Sequence, residues 1–497
     1  METGRTAWTR QPAQATRDAA TALWKQARPA AAALWEQARD ATTAAWRRAR
    51  PAAGRHRWFL AVFGLGVLLR AITMLGYRPA LWFPDSYTYI VTVFRPRPDL
   101  VRPAGYSLFL KLLHPFHSFA AVTAVQHLLG LATGVLVYVA VLRVARGIPR
   151  WAATLAAVPV LLDAYQIELE HLLVSDALFT FLVVAAVVLA IRRNLTWRTA
   201  LAIGLLLACA SLTRTIGQPL IVVLGAWLLL RRRIGLAGVM AAAALLPVLA
   251  YGAWFHATYQ RVGIVGANGV FLYARTMSFA DCARMDPPAD LAVLCDPRPA
   301  KDRPPSQEYI WAKDAPLVKL PDITFSKAND DLAGRFAMLA IRSQPLDYAA
   351  SILSELARTF TLGRPVYPDA EIYGYYEFPV NPPPPPGRYP AQVGAKFAQA
   401  YENGAIGTDI VEPFAGWMRA YQDVARLPGA ALLVILLVPL VVAIRRRSYQ
   451  GAWLLPWSTA WVLLIVPPAV AEFDYRYTLP AVPPACLAAA LCARRVP

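Results

Sequence analysis

The chain has 497 residues, 57% of them hydrophobic, and a formal net charge of +19 from 50 basic and 31 acidic side chains. That much apolar sequence excludes an ordinary soluble globule. The positive charge is gathered in an N-terminal arm and in short basic turns, where anionic lipid headgroups would meet it, so membrane lipids rather than nucleic acid are the expected partner.

The arm, residues 1–57, is basic and rich in Trp and Ala. It repeats ALWKQAR from Ala22, ALWEQAR from Ala33 and AAWRRAR from Ala44, which sets Trp24, Trp35 and Trp46 11 residues apart. Eleven residues are close to three helical turns, so one Trp stripe flanked by Arg and Lys reads as a helix resting on the inner membrane surface. Pro29 and Pro51 interrupt it, and an Ala-rich tail that folds transiently is the alternative. No cleavable signal peptide precedes the first apolar stretch.

A membrane-crossing helix needs roughly 20 apolar residues. Full-length candidates are Trp58 to Leu75, Ser118 to Ala140, Leu172 to Ile191, Ile234 to Phe255, Leu427 to Ile444, Trp453 to Val470 and Tyr477 to Cys492. Trp151 to Leu162, Thr199 to Leu212 and Ile216 to Leu230 are shorter. The turns Arg143 to Arg150, Arg192 to Arg198, Arg231 to Arg233, Arg445 to Arg447 and Arg494–Arg495 contain no acid. By the positive-inside rule they face the cytoplasm. An even number of crossings must then separate Arg150 from Arg192, so Trp151 to Leu162 crosses with Leu172 to Ile191. The expected architecture is an all-α polytopic membrane protein of about ten spans, both termini cytoplasmic, with a large mixed extracytoplasmic loop domain. Its parts are the arm, an N-terminal membrane module over 58–256, the loop domain over 257–426 and the C-terminal spans over 427–497.

The connections left for the outer face carry the acids. A first outer segment after Leu75 holds Asp85 in Trp82-Phe83-Pro84-Asp85-Ser86-Tyr87, then Arg95, Arg97, Arg102 and Lys111. Its aromatics, Tyr87 among them, suggest short helices along the interface. Arginines gathered beside one carboxylate suit a phosphate held next to a base. Asp85 could take a proton from an attacking hydroxyl, or simply cap a helix after Pro84.

Further along, Glu168, Glu170 and His171 precede Asp176, which opens an apolar helix. These groups suit orienting an acceptor or, alternatively, solvation, and Asp176 also suits the helix dipole. They leave room for a divalent cation, although no D-x-D pair accompanies Asp85 and no metal ligand set is assigned. Arg70 inside the first span and Arg214 at a hairpin turn are costly in a bilayer unless they face a wet cavity or a partner. The last outer turn adds Glu472, Asp474 and Arg476 between aromatics.

The loop domain is rich in proline, with Pro382 to Pro386 as a rigid stretch. Phe336 to Phe360 has helical periodicity, broken or restarted at Pro345. It has no Gly-rich phosphate loop, nucleophile elbow or zinc spacing. Cys282 and Cys295 lie where an oxidising compartment would allow a disulfide, though two nearby loop cysteines can equally stay free. Cys209, Cys486 and Cys492 read as packing residues within spans.

Asp85 after span one, Ser175-Asp176-Ala177-Leu178-Phe179, Leu212-Thr213-Arg214-Thr215-Ile216-Gly217 and Arg476-Tyr477-Thr478-Leu479-Pro480 together resemble the GT-C glycosyltransferases. The pattern is most similar to bacterial members of the protein O-mannosyltransferase and aminoarabinose-transferase type, over about residues 58–495. The resemblance implies inverting transfer of a hexosyl or pentosyl group from a polyprenyl-phosphate donor to an extracytoplasmic glycan, lipid or protein. It implies Asp85 as base, Asp176 as a second acid of the site, and Arg70, Arg214 and Arg476 near the lipid phosphate. Tyr87, Arg102, Glu168, Glu170, His171 and Asp474 are further substrate-binding candidates. The chain departs from the family in carrying one acid rather than a pair in its first loop and in having fewer spans. A flippase for lipid-linked sugars, expected to carry charges at the midplane and repeated halves, and a noncatalytic assembly protein are the competing readings.

Overall fold

The computed structural model describes residues 29, 35, 36, 39, 54–145, 147–382 and 389–493. Of the arm repeat, Trp35 is helical and exposed, while Trp24 and Trp46 lie outside the described residues, as do Arg146, Arg494, Arg495 and Pro383 to Pro386. The chain clusters into two units, residues 1–60 and 61–497, and the second holds every candidate site residue.

The architecture is mostly helical. Among the described residues, four helices are long and apolar enough to cross a bilayer: Arg57–Gly76, Phe119–Val144, Ile234–Tyr259 and Gly429–Arg446. A fifth is added if Arg150–Leu162 and Ala164–His171, bent by 48° at Asp163, count as one span. Of the expected ten, four or five among the described residues are helices of full spanning length. Asp176–Ala190, Trp197–Thr213, Gly217–Leu230 and Leu454–Val470 are apolar but shorter. At about 1.5 Å per residue they fall short of a hydrocarbon core about 30 Å thick.

Two expected spans are shortened for visible reasons. Leu172 to Ile191 becomes helical only at Asp176, because Leu172 is extended and bridges to Leu81 in parallel. Tyr477 to Cys492 divides into a helical turn Tyr475–Thr478, a 3-10 turn Leu479–Ala481 and the helix Val482–Cys492. Pro480, Pro483 and Pro484 remove the amide donors that a continuous helix would use.

Phe119–Val144 packs against both halves of the bent pair and against Asp176–Ala190. Its apolar face is notched at Gly130, where a Cβ would overlap the Glu170 carboxylate. Gly105 likewise lets the first loop lie directly on the Leu212–Thr213 backbone at the end of Trp197–Thr213. Both close approaches need a residue without a side chain.

The segment between Gly76 and Phe94 is held on two edges. Tyr77–Pro79 pairs antiparallel with Thr408–Ile410 of the large loop domain, in the register Arg78 to Asp409. On its other side Leu81 bridges to Leu172, with Leu81 N donating to His171 O and Leu173 N donating to Leu81 O. The short helices Pro84–Phe94 and Gly105–Leu113 follow, and Tyr389–Glu402 packs on the first of them.

The loop domain is helical rather than mixed. Its one strand among the described residues, Thr408–Ile410, serves the first loop. A core around Val270, Tyr273, Leu317 and Phe336 lies beneath the helices Asn268–Thr276 and Lys327–Ser343. Gln344 ends the latter and Pro345 starts Pro345–Arg358, the break that the proline predicts. Cys282 and Cys295 are joined in a disulfide.

Candidate functional site

Asp85 stands in the first turn of Pro84–Phe94. Pro84 fixes the first helical φ, and Ser86 Oγ accepts from Phe83 N at 3.0 Å. The capping role open to Asp85 is thereby filled by Ser86, and the Asp85 carboxylate is turned elsewhere. Its Oδ1 accepts from Arg102 Nη2 at 2.5 Å and its Oδ2 from Arg476 Nη2 at 3.1 Å. Arg102 is set by a tight turn in which Asp99 Oδ1 accepts from both Val101 N and Arg102 N. Arg476 is set by Asp474, whose Oδ1 accepts from Arg476 N at 3.1 Å, and Tyr376 Oη donates to Asp474 Oδ2 at 2.7 Å.

Burial by itself would push the Asp85 carboxyl up, but Arg102 and Arg476, by charge and by hydrogen bonding, outweigh it and hold the group at about 2. The same attraction raises Arg102, against burial, further above the usual arginine range. Arg476 is raised as well, with Tyr376, Tyr477, Asp85 and Asp474 around it outweighing burial.

A second acid–guanidinium pair lies beside the first. Asp176 opens its helix without capping it, and its Oδ1 accepts from Arg214 Nη1. Arg214 ends Trp197–Thr213, and Gly217 N donating to Arg214 O closes the turn that follows. Tyr477 joins the pairs: its ring centroid is 4.8 Å from the Arg214 guanidinium carbon and 5.2 Å from that of Arg476. Phe83 lies 4.6 Å from Arg476, and Phe179 5.8 Å from Arg214. Aromatic faces of this kind favour cations without neutralising them.

Asp85, Asp176, Arg102, Arg214, Asp474 and Arg476 are therefore brought together from four separate stretches of chain. The Asp85 side chain retains 10% exposure and Arg102 19%, so the cluster has an accessible edge. Asp176 is fully buried, and its Oδ2 has no hydrogen-bond partner. An orphaned carboxylate oxygen in such a place calls for a ligand donor.

The remaining predicted residues lie elsewhere. Arg70 is buried in a fork on Glu170, through Nε to Oε2 at 2.7 Å and Nη2 to Oε1 at 2.8 Å, and Nη1 donates to the carbonyls of Gly66 and Leu161. Glu170 also accepts from Gln166 Nε2 and pairs with His127 Nδ1 at 3.0 Å. His127 Nε2 meets His171 Nδ1 at 3.1 Å, and His171 Nε2 meets the Tyr77 carbonyl. These contacts need three N–H groups where two neutral imidazoles supply two. Arg70, Glu170 and His171 thus belong to a network of their own.

Glu168 is buried within electrostatic reach of Arg364 and Glu377, with Oε1 unpartnered. Tyr87 stacks on Trp82 at 5.1 Å, and a side chain at Gly394 would strike it, so it packs the first loop against Tyr389–Glu402.

Three contributors were not anticipated. Gln126, which donates to the carbonyls of Glu170 and Leu172, and His127 interrupt an apolar helix, a signal that sequence carries openly. Tyr376 reaches Asp474 from the loop domain, and nothing in its local sequence marks it.

A divalent cation does not fit this arrangement. No three His, Cys, Asp or Glu side chains converge among the described residues, and both oxygens of Asp85 are already engaged by guanidinium groups.

Comparison with solved structures finds the oligosaccharyltransferase of Archaeoglobus fulgidus. Its crystal structure with Zn and sulfate aligns with a TM-score of 0.41 at 12% identity, over 87% of this chain and 48% of that one. The archaeal oligosaccharyltransferase AglB in complex with an inhibitory peptide and a dolichol-phosphate aligns at 0.41 and 13%, over 87% and 50%. This chain spans about half the length of those proteins. No protein-family description and no curated protein matches the sequence.

Proposed function

We propose that this protein is an integral-membrane inverting glycosyltransferase that moves a sugar from a polyprenyl-phosphate donor to an extracytoplasmic acceptor, in the manner of the GT-C enzymes. The observation that supports this most is one carboxylate, Asp85, held between two guanidinium groups, Arg102 and Arg476. The Asp176–Arg214 pair, with Asp176 Oδ2 left open, sits alongside.

Asp85 at about 2 is ionised but a weak base. The donor phosphate cures that weakness. As it enters it competes for Arg102 and Arg476, whose planar forks suit phosphate oxygens at least as well as a carboxylate. Asp85 released from them returns toward the ordinary carboxylate range and becomes able to accept a proton. The base is thus switched on by the substrate that requires it.

The acceptor oxygen then bonds to the anomeric carbon while the bond from that carbon to the phosphate oxygen breaks. The acceptor proton passes to Asp85, and the lipid phosphate leaves with the electron pair, its charge stabilised by Arg102, Arg476 and Arg214. Asp176 Oδ2 accepts from a donor-sugar hydroxyl and orients the ring. Holding both reactants at one site removes much of the entropic barrier. A flippase would instead draw on the Arg70–Glu170 network, but that network is closed on itself by internal hydrogen bonds.

The test uses membranes containing the protein and a panel of radiolabelled polyprenyl-phosphate sugars. Asp85→Asn is expected to abolish transfer while leaving the protein inserted. Equal turnover by wild type and variant, or residues 85 and 214 reporting from opposite sides of the membrane, overturns the proposal.

A further inference from the structure

The loop domain contains a cavity of about 930 Å³ that is separate from the arginine cluster. One wall is the polar face of Pro345–Arg358, with Asp347, Ser351, Ser354, Glu355 and Arg358. The opposite walls are the segments flanking the Cys282–Cys295 disulfide, which ties them together.

The acids around this cavity are already satisfied. Asp347 accepts from Arg284 at 2.7 Å, and Asp296 from Arg298 at 2.6 Å and from Tyr309. Glu355 accepts from Phe473 N and Tyr367 Oη, both at 2.8 Å, and Asp281 from Ala283 N at 3.0 Å.

Several donors are not satisfied in the same way. Arg275 is fully buried and donates only to neutral acceptors, Pro468 O, Ser278 Oγ and Ser351 Oγ. Arg303 donates only to the backbone carbonyls of Met277, Ala280, Asp296 and Arg298. Arg358 Nε is buried without a hydrogen-bond partner, 3.7 Å from the nearest Glu355 oxygen. Gln344 is 1% exposed; its Oε1 accepts from Asp281 N, while Nε2 has no partner. Guanidinium charge held by neutral groups is oriented but not neutralised, and a buried amide donor left open lacks a hydrogen bond that only an added acceptor supplies.

Hydrogen bonds also link one wall of the cavity to the segment that carries Arg476. Tyr367 Oη reaches both Glu355 and Glu472, Phe473 N is held by Glu355, and Asp474 follows as the residue that orients Arg476.

We infer that this cavity is the acceptor subsite and that it takes an acidic saccharide, one carrying carboxylate or phosphate. The inference rests on the glycosyltransferase reading for the word acceptor, though not for the binding itself. The volume exceeds what a lone headgroup phosphate needs, and the serine hydroxyls and Gln344 amide suit sugar hydroxyls as the arginines suit the acid.

The test is binding of trigalacturonate and of a phosphorylated maltotriose to the full-length protein in zwitterionic nanodiscs, with unmodified maltotriose as the neutral control. Wild type is expected to bind at least one acidic probe at least 10-fold more tightly than maltotriose, with affinity falling as salt rises. Gln344→Glu keeps the acceptor for Asp281 N but places a negative charge where the open donor was; Arg358→Gln removes a partly exposed cation. Each is expected to lose at least 10-fold in acidic-probe affinity while remaining folded, Arg358→Gln with an unchanged melting temperature. Asp85→Asn is expected to bind the probes as wild type does. Failure of both acidic probes to exceed maltotriose, or both variants binding like wild type, overturns the inference. So does loss of probe binding when phosphatidylglycerol is added to the discs, which identifies a headgroup site. Absence of transfer with every donor, with selective probe binding intact, defeats the glycosyltransferase reading alone.

Discussion

Leu81 and Leu172 form a parallel bridge, and each is followed four residues later by an acid of the candidate site, Asp85 and Asp176. Both acids then occupy the first turn of a helix, where the positive end of the macrodipole favours them. Two carboxylates far apart in sequence are thus launched from one fixed pair of backbones. Their separation depends on that bridge more than on the loops around it.

The bridge is supported from beneath by the network of Arg70, Glu170, His127 and His171. Glu170→Ala leaves Arg70 charged and buried, so a loss of about 3–5 kcal/mol is expected. The double variant Arg70→Met with Glu170→Leu should recover much of that loss. Thermal unfolding in detergent checks both, and a double variant no more stable than the single would show that the pair is not the source.

Asp85 contributes to stability. Its folded value of about 2 lies below an ordinary aspartate at about 3.9, so the contribution is present above about pH 4 and is lost as pH falls toward 2. Its size is about 2 kcal/mol. Asp85→Asn should therefore be less stable than wild type at pH 7, with the gap narrowing below pH 4. Parallel melting curves across that range would refute this.

Glu472 behaves in the opposite sense. Burial first, and then the charge of Glu355, push it up to about 8. The folded protein keeps a proton that the unfolded chain releases at about 4.3, so this group makes stability fall as pH rises between those values. Glu472→Gln keeps an acceptor for one of the two amides, Ser306 N and Gln307 N, that the carboxylate oxygens take, and removes the titration. Its melting-temperature advantage should grow from pH 5 to pH 8 and level off above. Identical slopes for variant and wild type would contradict this origin.

Arg476→Lys keeps the charge but not the planar fork between Asp85 and a phosphate. Transfer should fall at least 10-fold, with a rise in apparent donor KM. Arg95→Lys, on a residue whose guanidinium lies over Phe397 outside the cluster, should leave transfer near wild type. Equal effects from the two would remove any special place for Arg476.

Sequence by itself determined that this chain is apolar, helical and sorted into basic and acidic connections, because composition and the length of apolar runs are local properties. It marked Asp85, Asp176, Arg214 and Arg476 through charges too costly to place idly beside apolar helices. It also placed the helix restart at Pro345, where the ring removes a donor.

Only the tertiary structure decided which charges meet. Arg70 looked like a phosphate ligand until Glu170 was found closing on it, and Tyr376 joined Asp474 from a distant loop. The apolar run after Leu172 could not declare that its first residues would be extended. Pairing with Leu81 takes precedence there, because a backbone bridge satisfies donors and acceptors that helix propensity alone cannot assign to one partner.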